Sequence, residues 1–473
     1  MLRVAVISGR RWRRKEPMPL PTHPDVVLIH CHDLGRWLPT YGMPHVPAPN
    51  ITRFAVDSIV FENAHSSSPL CSPARASLFT GLSPYRNGVQ GLVHNAWRYR
   101  EGVMTAPERL RPLGYHSALI GLQHENVDPT VLGFDECPGL GFLPRTNQVV
   151  EATERWLGQL PDRSERKPVF LTVGTWEVHR PWGPEDYKPA DPSKVDVPEF
   201  LPDNDHTRRD IAAFNGAIAQ FDAGFGRLLA AVDAAFDREN TMVVFTTDHG
   251  VAFPRAKSTL YDAGTGVSLI VRPPSSWNVS PHRVKELTSH MDLVPTLLEL
   301  AGAAPDSEEL EGESLMPLLT QQAAKQGRVI FTSKSFHDTY DPKRAARSAD
   351  YVYIRNYEPG PKLQLAIDLE TSDTRQGMGD AHLESREPEE LYDRRADPSE
   401  LVNVISNTEY QHVRSQHSAL LDKWLEKTGD PVAHMPIASA PARSRHVDDL
   451  PAASPTDSQP APVNETQVGA MRT

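Results

Sequence analysis

The sequence predicts an α/β protein with a large, mostly parallel sheet flanked by helices. Short apolar runs of the length of a buried strand begin at Val26, Ser117, Val169, Met242 and Val267. Amphipathic patterns typical of helices lie between them, and the longest spans 210–236, where apolar residues recur every three or four positions. Buried strands that alternate with helices indicate a parallel sheet covered on both faces.

After about residue 325 the pattern changes, and short β-rich segments alternate with polar turns. RVIFTS, YVYIRNY and KLQLAI predict a smaller C-terminal α+β domain with an antiparallel sheet, and EELYDRRADPSELVN leads into a helix that ends near KWLEKTGDP. Both chain ends lack periodicity, and the C-terminal one is rich in Pro, Ala and Ser. We expect a disordered arm over 1–23, a catalytic α/β domain over 24–325, a C-terminal subdomain over 326–430 and a disordered tail over 431–473.

Composition excludes several classes of protein. The formal net charge of −12 argues against a nucleic-acid binder, which normally presents a basic face. Three cysteines cannot form a disulfide framework, which favours a reducing compartment, and no apolar run reaches the ~18 residues of a membrane span. The basic N-terminus lacks the apolar stretch of a signal peptide. We expect a cytoplasmic location; the alternatives are twin-arginine export and a start site misassigned upstream of Met18.

Chemically active side chains follow four of the predicted strands. They are His32 and Asp33, then His124, then His179, and finally Asp248 and His249. A polar loop residue or a helix cap explains any one of them, but the carboxyl ends of parallel strands meet at one edge of a sheet. Asp33, Asp248 and His249 together predict a divalent metal site at that edge.

The stretch PLCSPARASLFTG, residues 69–81, places a cysteine at the start of a predicted helix. Pro73 suits the first helical turn, where its missing N–H costs nothing, and Gly81 suits the position after the last turn. Backbone N–H groups at a helix N-terminus favour negative charge, and Arg75 lies one turn after Cys71 on the same face. The pattern predicts a nucleophile that meets an anionic substrate; the competing interpretation is a buried cysteine that packs as a small hydrophobe.

The segment CSPAR resembles the Cys-x-Pro-x-Arg signature of type I sulfatases, which belong to the alkaline phosphatase-like superfamily. The resemblance covers roughly residues 24 to 430 and includes, in order, VVLIHCHDLG, CSPARASLFTG, GLQHE, FTTDHG, STLYDAG and ELYDRRADPSELVN. CSPARASLFTGLSPYRNGVQGL and GVAFPRAKSTLY are most similar to the heparan N-sulfatase (N-sulfoglucosamine sulfohydrolase) branch and its bacterial relatives. The resemblance implies hydrolysis of a sulfate ester or N-sulfate on a sulfated small molecule or glycan.

The resemblance also implies how this reaction proceeds. A formylglycine-generating enzyme converts the cysteine of the motif to formylglycine, whose hydrate attacks sulfur and forms a covalent sulfo-enzyme. One divalent metal, usually Ca²⁺, is held by an oxygen of modified Cys71 together with Asp33, Asp248, His249 and, here, His32.

Four further residues receive roles from the same resemblance. Arg75 holds the formylglycine, and Lys257 contacts the sulfate. His124 and His179 share the two proton transfers, and the sequence does not say which of them performs which.

The site departs from the family pattern at two positions. His32 stands where the family commonly has an aspartate, and Leu122 stands where it commonly has a lysine. With His249 in the fourth ligand position, the site has two imidazoles, which suit Mn²⁺ or Zn²⁺ better than Ca²⁺. We hypothesise a metal site that is less calcium-selective than usual. Arg36 or Arg180 could replace the missing lysine, although each also suits a structural role.

In the C-terminal subdomain, SKSFHDTYDPKRAAR contains His337 and Arg344. The resemblance implies that this region reaches the sugar, so both are candidate substrate contacts; the alternative is an ordinary polar loop. Two other functions compete with the sulfatase interpretation. A phosphonate monoester or phosphodiester hydrolase needs more positive charge than the site with Leu122 offers. A non-catalytic binder of sulfated glycans has no need for the intact modification signal at Cys71.

Overall fold

A computed structural model describes residues 23–436 except 139, 141–142, 307 and 323–326. The strands in this part of the chain are β1 (Asp25–Cys31), β2 (Ile59–Phe61), β3 (Ala64–His65), β4 (His116–Gly121), β5 (Val169–Gly174), β6 (Thr241–Thr247), β7 (Leu269–Arg272), β8 (His282–Val284), β9 (Thr288–Ser289), β10 (Ile330–Phe336), β11 (Tyr340–Arg347), β12 (Tyr351–Asn356) and β13 (Glu389–Asp393). The α-helices are α1 (Pro49–Val56), α2 (Cys71–Thr80), α3 (Pro84–Asn87), α4 (Ala106–Leu110), α5 (Thr146–Leu157), α6 (Asp205–Ala235), α7 (Asp262–Thr265), α8 (Leu293–Leu300), α9 (Met316–Leu319), α10 (Ile367–Glu370), α11 (Asp373–Gly377) and α12 (Gln411–Thr428). The expected arm and tail lie almost wholly outside the described residues, and the four region boundaries stay predictions.

A seven-stranded sheet in the order β4-β5-β1-β6-β7-β2-β8 confirms the large, mostly parallel sheet. β1 pairs in parallel with β5 and β6, whereas β7 runs antiparallel to β6 and β2. The side chains of β1 alternate between two cores: Val27 and Ile29 face one, and Val26 and Leu28 face the other. The sheet is therefore buried on both faces, as its continuous apolar runs predict.

The helix α6 covers one face of this sheet and packs against α5. Its apolar stripe, which includes Phe214, Phe221 and Phe225, is fully buried in the core of that face. The helix begins five residues earlier than the apolar pattern predicts, because the Asn204 side chain accepts the Thr207 backbone N–H and caps a polar first turn. None of the described helices is long and apolar enough to cross a membrane.

A separate four-stranded antiparallel sheet, β10-β11-β12-β13, confirms the smaller α+β region, and α12 packs against it. The strand predicted at KLQLAI is wrong: residues 362–366 form irregular backbone, and Leu363 and Leu365 are buried in a core of the large sheet. The strand β11 escaped the sequence pattern, because its segment YDPKRAAR contains a proline and four charged residues.

Candidate active site

The helix α2 begins at Cys71 and ends before Gly81, whose φ of +70° is the left-handed cap that glycine favours. This confirms the predicted helix. Cys71 and Arg75 are both buried, and Arg75 donates hydrogen bonds to the Cys31 carbonyl (3.0 Å) and contacts His30 Nδ1 (2.8 Å). Arg75 therefore ties the nucleophile helix to the end of β1.

Five side chains converge beyond the ends of β1 and β6, and their ligand atoms all lie within 4.8 Å of one another: His32, Asp33, Cys71, Asp248 and His249. Parallel pairing of β1 with β6 brings the two polar pairs together. Asp33 Oδ1 lies 2.9 Å from His249 Nε2, and the Asp33 backbone N–H donates to Asp248 Oδ1 at 2.9 Å. Cys71 Sγ lies 3.4 Å from His249 Nε2, so the sequence-based cluster converges as predicted.

The cluster fits a metal ion in its donor chemistry. The Nδ1–H of His249 donates to the Gly250 carbonyl at 2.9 Å, which turns the Nε2 lone pair toward the cluster, the usual arrangement of a ligating histidine. Asp248 Oδ2 is buried and makes no hydrogen bond of normal geometry to any described residue, although it lies within ion-pair distance of the Arg75 guanidinium (3.2 Å) and of His32 Nδ1 (3.3 Å). Two carboxylates, two imidazoles and a sulfur form a suitable donor set for a divalent cation.

The charges of the cluster perturb one another strongly. Burial by itself would lower the pKa of His32, but Asp248 and Cys71 raise it to about 9. Burial would raise the pKa of Asp33, yet Lys257 and His179 hold it well below its usual range. Burial also opposes ionisation of Cys71, but His32 and Lys257 lower its pKa well below that of an ordinary thiol. Perturbed pKa values within one buried cluster are characteristic of catalytic sites.

A second group adjoins the cluster around Lys257. Its Nζ donates to Asp33 Oδ2 at 2.9 Å and to Asp368 Oδ2 at 2.7 Å, and it lies 3.2 Å from His179 Nε2. The His179 Nδ1–H donates to the Arg180 carbonyl, so Nε2 faces the site. The two predicted residues therefore meet beside Cys71. Asp368 was not predicted from the sequence, because the segment before it shows only alternating apolar residues.

His124 follows β4 and also adjoins the cluster. Its ring centroid is 5.8 Å from that of His32 and 6.0 Å from that of His94, with which it stacks. Burial lowers the pKa of His124, and the neighbouring Cys71 opposes that shift in part. Leu122 is buried and brings no charge to this side of the site.

Two arginines that the sequence suggested as replacements for the missing lysine bind other partners. Arg36 binds Asp262 and the Glu62 carbonyl, and Arg180 forms a bidentate pair with Asp210. Neither therefore replaces the missing lysine.

Arg344 corrects the sequence-based expectation for the C-terminal sheet. It is fully buried and donates to Asp430, to the carbonyls of Lys334 and Lys343, and to Ser335 Oγ. These bonds make Arg344 structural rather than substrate-binding. His337, in contrast, sits at the β10–β11 turn, where its Nδ1 lies 2.6 Å from Asp338 Oδ2.

A cysteine at a helix start, beside a cluster of side chains that could hold a metal ion at the carboxyl edge of a mostly parallel sheet, is the arrangement of hydrolases of the alkaline phosphatase-like class. The Sulfatase family model matches residues 24–303, which is more than half of the chain. The chain therefore belongs to the sulfatase family and is a sulfuric ester hydrolase.

Two curated relatives and one solved structure illustrate the similarity. The chain is 26% identical to the ulvan-active sulfatase of Formosa agariphila over 87% of this chain and 76% of that one. It is 26% identical to the N-sulphoglucosamine sulphohydrolase of Homo sapiens over 86% of this chain and 91% of that one. The structure of BT4656 in complex with its substrate D-glucosamine-2-N,6-O-disulfate superposes with a TM-score of 0.67, at 18% identity, over 87% of this chain and 100% of that one.

Proposed function

We propose that this sulfatase removes a sulfate ester or N-sulfate from a sulfated sugar by means of a formylglycine formed at Cys71 and one divalent metal. The observation that carries the proposal is the meeting of the CSPAR helix start, the five-residue ligand cluster and the Lys257–His179 pair in one buried site. Similarity to N-sulphoglucosamine sulphohydrolase supports an aminosugar as the substrate.

Each group of site residues has its own role in the proposed reaction. A hydrated formylglycine would supply an oxygen nucleophile at position 71, and a metal held by Asp33, Asp248, His32 and His249 would supply Lewis-acid polarisation of the sulfate. We assign to the Lys257 ammonium, which adjoins His179, the stabilisation of negative charge on the sulfuryl oxygens. His179 Nε2, next to Lys257, and His124, next to His32, share the proton transfers to the leaving group and from the nucleophile.

Peptide mass spectrometry on protein from its native host tests the modification. We expect the peptide that carries Cys71 to show the mass loss of conversion to formylglycine, and to resist iodoacetamide after denaturation. The peptide that carries Cys31 is the internal control, because it should be alkylated fully. The proposal would be contradicted by an active enzyme in which position 71 remains a cysteine and is alkylated by iodoacetamide. The nucleophile would then be a thiolate and not a formylglycine hydrate.

Metal analysis of protein purified without chelators tests the ion. Because two of the four side-chain ligands besides position 71 are imidazoles, we expect Mn²⁺ or Zn²⁺ to be present beside or instead of Ca²⁺. The matched variant is His32→Asp, which restores the double aspartate of the family and should raise the calcium content. Stoichiometric calcium alone in the unaltered protein would contradict the hypothesis.

A further inference from the structure

A second cluster of buried charges lies on the C-terminal sheet. Lys334 of β10 and Lys343 of β11 stand directly opposite each other across the two strands. Asp341 lies two residues before Lys343 on the same face, where its carboxylate accepts hydrogen bonds from Lys334 (2.5 Å) and from Arg386. The ammonium of Lys343 is 3.6 Å from the same carboxylate. Three cations therefore surround Asp341.

Within ion-pair distance the cluster holds three cations and one carboxylate, that of Asp341. Asp338, whose field reaches Lys334, is already bound by His337 and by the backbone N–H of Ile367. Glu390, whose field also reaches Lys343, already accepts hydrogen bonds from Tyr261, Tyr392 and Asn356. Like charges that face each other across strands destabilise a sheet, and a buried ammonium without a full counter-charge is costly.

Lys343 is the least satisfied member of the cluster. Its side chain is only 6% exposed, and its Nζ lies 3.6 Å from Asp341 Oδ2, an ion-pair distance longer than a hydrogen bond. Burial lowers the pKa of Lys343 to about 8. A buried donor of this kind is suited to a ligand that brings a negative charge.

The cluster adjoins the active site. The Ser333 N–H donates to the carbonyl of Ser67, four residues before Cys71, so β10 lies along the nucleophile loop. At the tip of the β10–β11 turn, Asp338 accepts the backbone N–H of Ile367, the neighbour of the Lys257 partner Asp368. Lys334 lies four residues from this tip, which at the rise of an extended strand is about 13 Å.

We propose that Lys343, with Lys334 and Arg386, forms an anion subsite for a second acidic group of the substrate while the reacting sulfate lies between Cys71 and Lys257. The second group is a carboxylate or a second sulfate, both of which accept charge-assisted hydrogen bonds from ammonium and guanidinium groups. This inference rests on the proposed function and narrows it to sulfated sugars that carry at least two acidic groups.

Three substrates test the subsite: N-sulfoglucosamine, glucosamine-2-N,6-O-disulfate, and a disaccharide of N-sulfoglucosamine and a uronic acid. We expect the unaltered enzyme to hydrolyse at least one dianionic substrate with a kcat/KM roughly tenfold or more above that for the monosulfated sugar. The dianionic substrate with the higher kcat/KM identifies the second acidic group as a sulfate or a carboxylate. In Lys343→Met this preference should disappear because KM for the dianionic substrate rises. Lys343→Arg keeps the positive charge and should retain the preference. Lys194→Met, at a lysine that is 77% exposed on the surface, is the matched control.

Two results would overturn the subsite. The first is an unaltered enzyme with no preference for a dianionic substrate over the monosulfated sugar. The second is a Lys343→Met variant whose kcat/KM falls equally on all three substrates. If none of the three is hydrolysed, the proposed function fails on these sugars, and calorimetric binding of the disulfate to the Cys71→Ala protein decides the subsite separately. Binding that weakens about tenfold with the added Lys343→Met change supports it, and unchanged or undetectable binding rejects it.

Discussion

We expect the replacement of Cys71 by alanine to reduce kcat on a sulfated sugar by roughly 10⁴-fold or more, because loss of a nucleophile removes the covalent route altogether. Alanine keeps the start of α2 and fills most of the buried volume, and it can neither become an aldehyde nor ionise as a thiolate. Steady-state kinetics on N-sulfoglucosamine and its disulfate measure the effect.

The matched control is Cys137→Ala. Cys137 is only partly buried and does not belong to the ligand cluster, so its replacement should change kcat by less than about twofold. Melting temperatures of both variants close to that of the unaltered protein separate a chemical loss from unfolding. Retention of most of the activity in Cys71→Ala would remove this residue from the mechanism and leave the site without a nucleophile.

The second large effect is expected at Asp368. Asp368→Asn preserves the shape of the side chain but removes the charge that holds Lys257 Nζ at 2.7 Å. Lys257 would then turn toward Asp33, its other carboxylate partner, and lose its position beside His179. Because a displacement of about 1 Å can cost 10²-fold, we expect kcat/KM to fall by roughly 100-fold.

Asp373→Asn is the control for this variant, since Asp373 lies on the next helix and its carboxylate pairs with Arg209 near the surface. It should leave kcat/KM within about twofold. Asp368→Glu keeps the charge and should recover part of the loss, which a purely structural role would not predict. The positioning role is rejected if Asp368→Asn retains full kcat/KM, or if Asp368→Glu is as impaired as Asp368→Asn.

Much of the site could be predicted because its residues stand at positions that local patterns mark. His32 and Asp33 follow β1 directly, and Asp248 and His249 follow β6, so the parallel pairing of two recognisable strands brings them together. Asp368 could not be predicted in this way. It lies 111 residues beyond Lys257, in a short helix after irregular backbone, and no strand end or motif marks it.

The sequence by itself determined the large sheet, the nucleophile helix and the metal-ligand cluster, because strand and helix periodicity and the four-residue spacing of Cys71 and Arg75 act over short distances. Only the tertiary structure decided which charges meet across the chain. In the folded protein, Arg180 pairs with Asp210, Arg344 pairs with Asp430, and Lys343 lies opposite Lys334. Ion pairs and cross-strand neighbours depend on long-range packing, which leaves no periodic trace in the sequence.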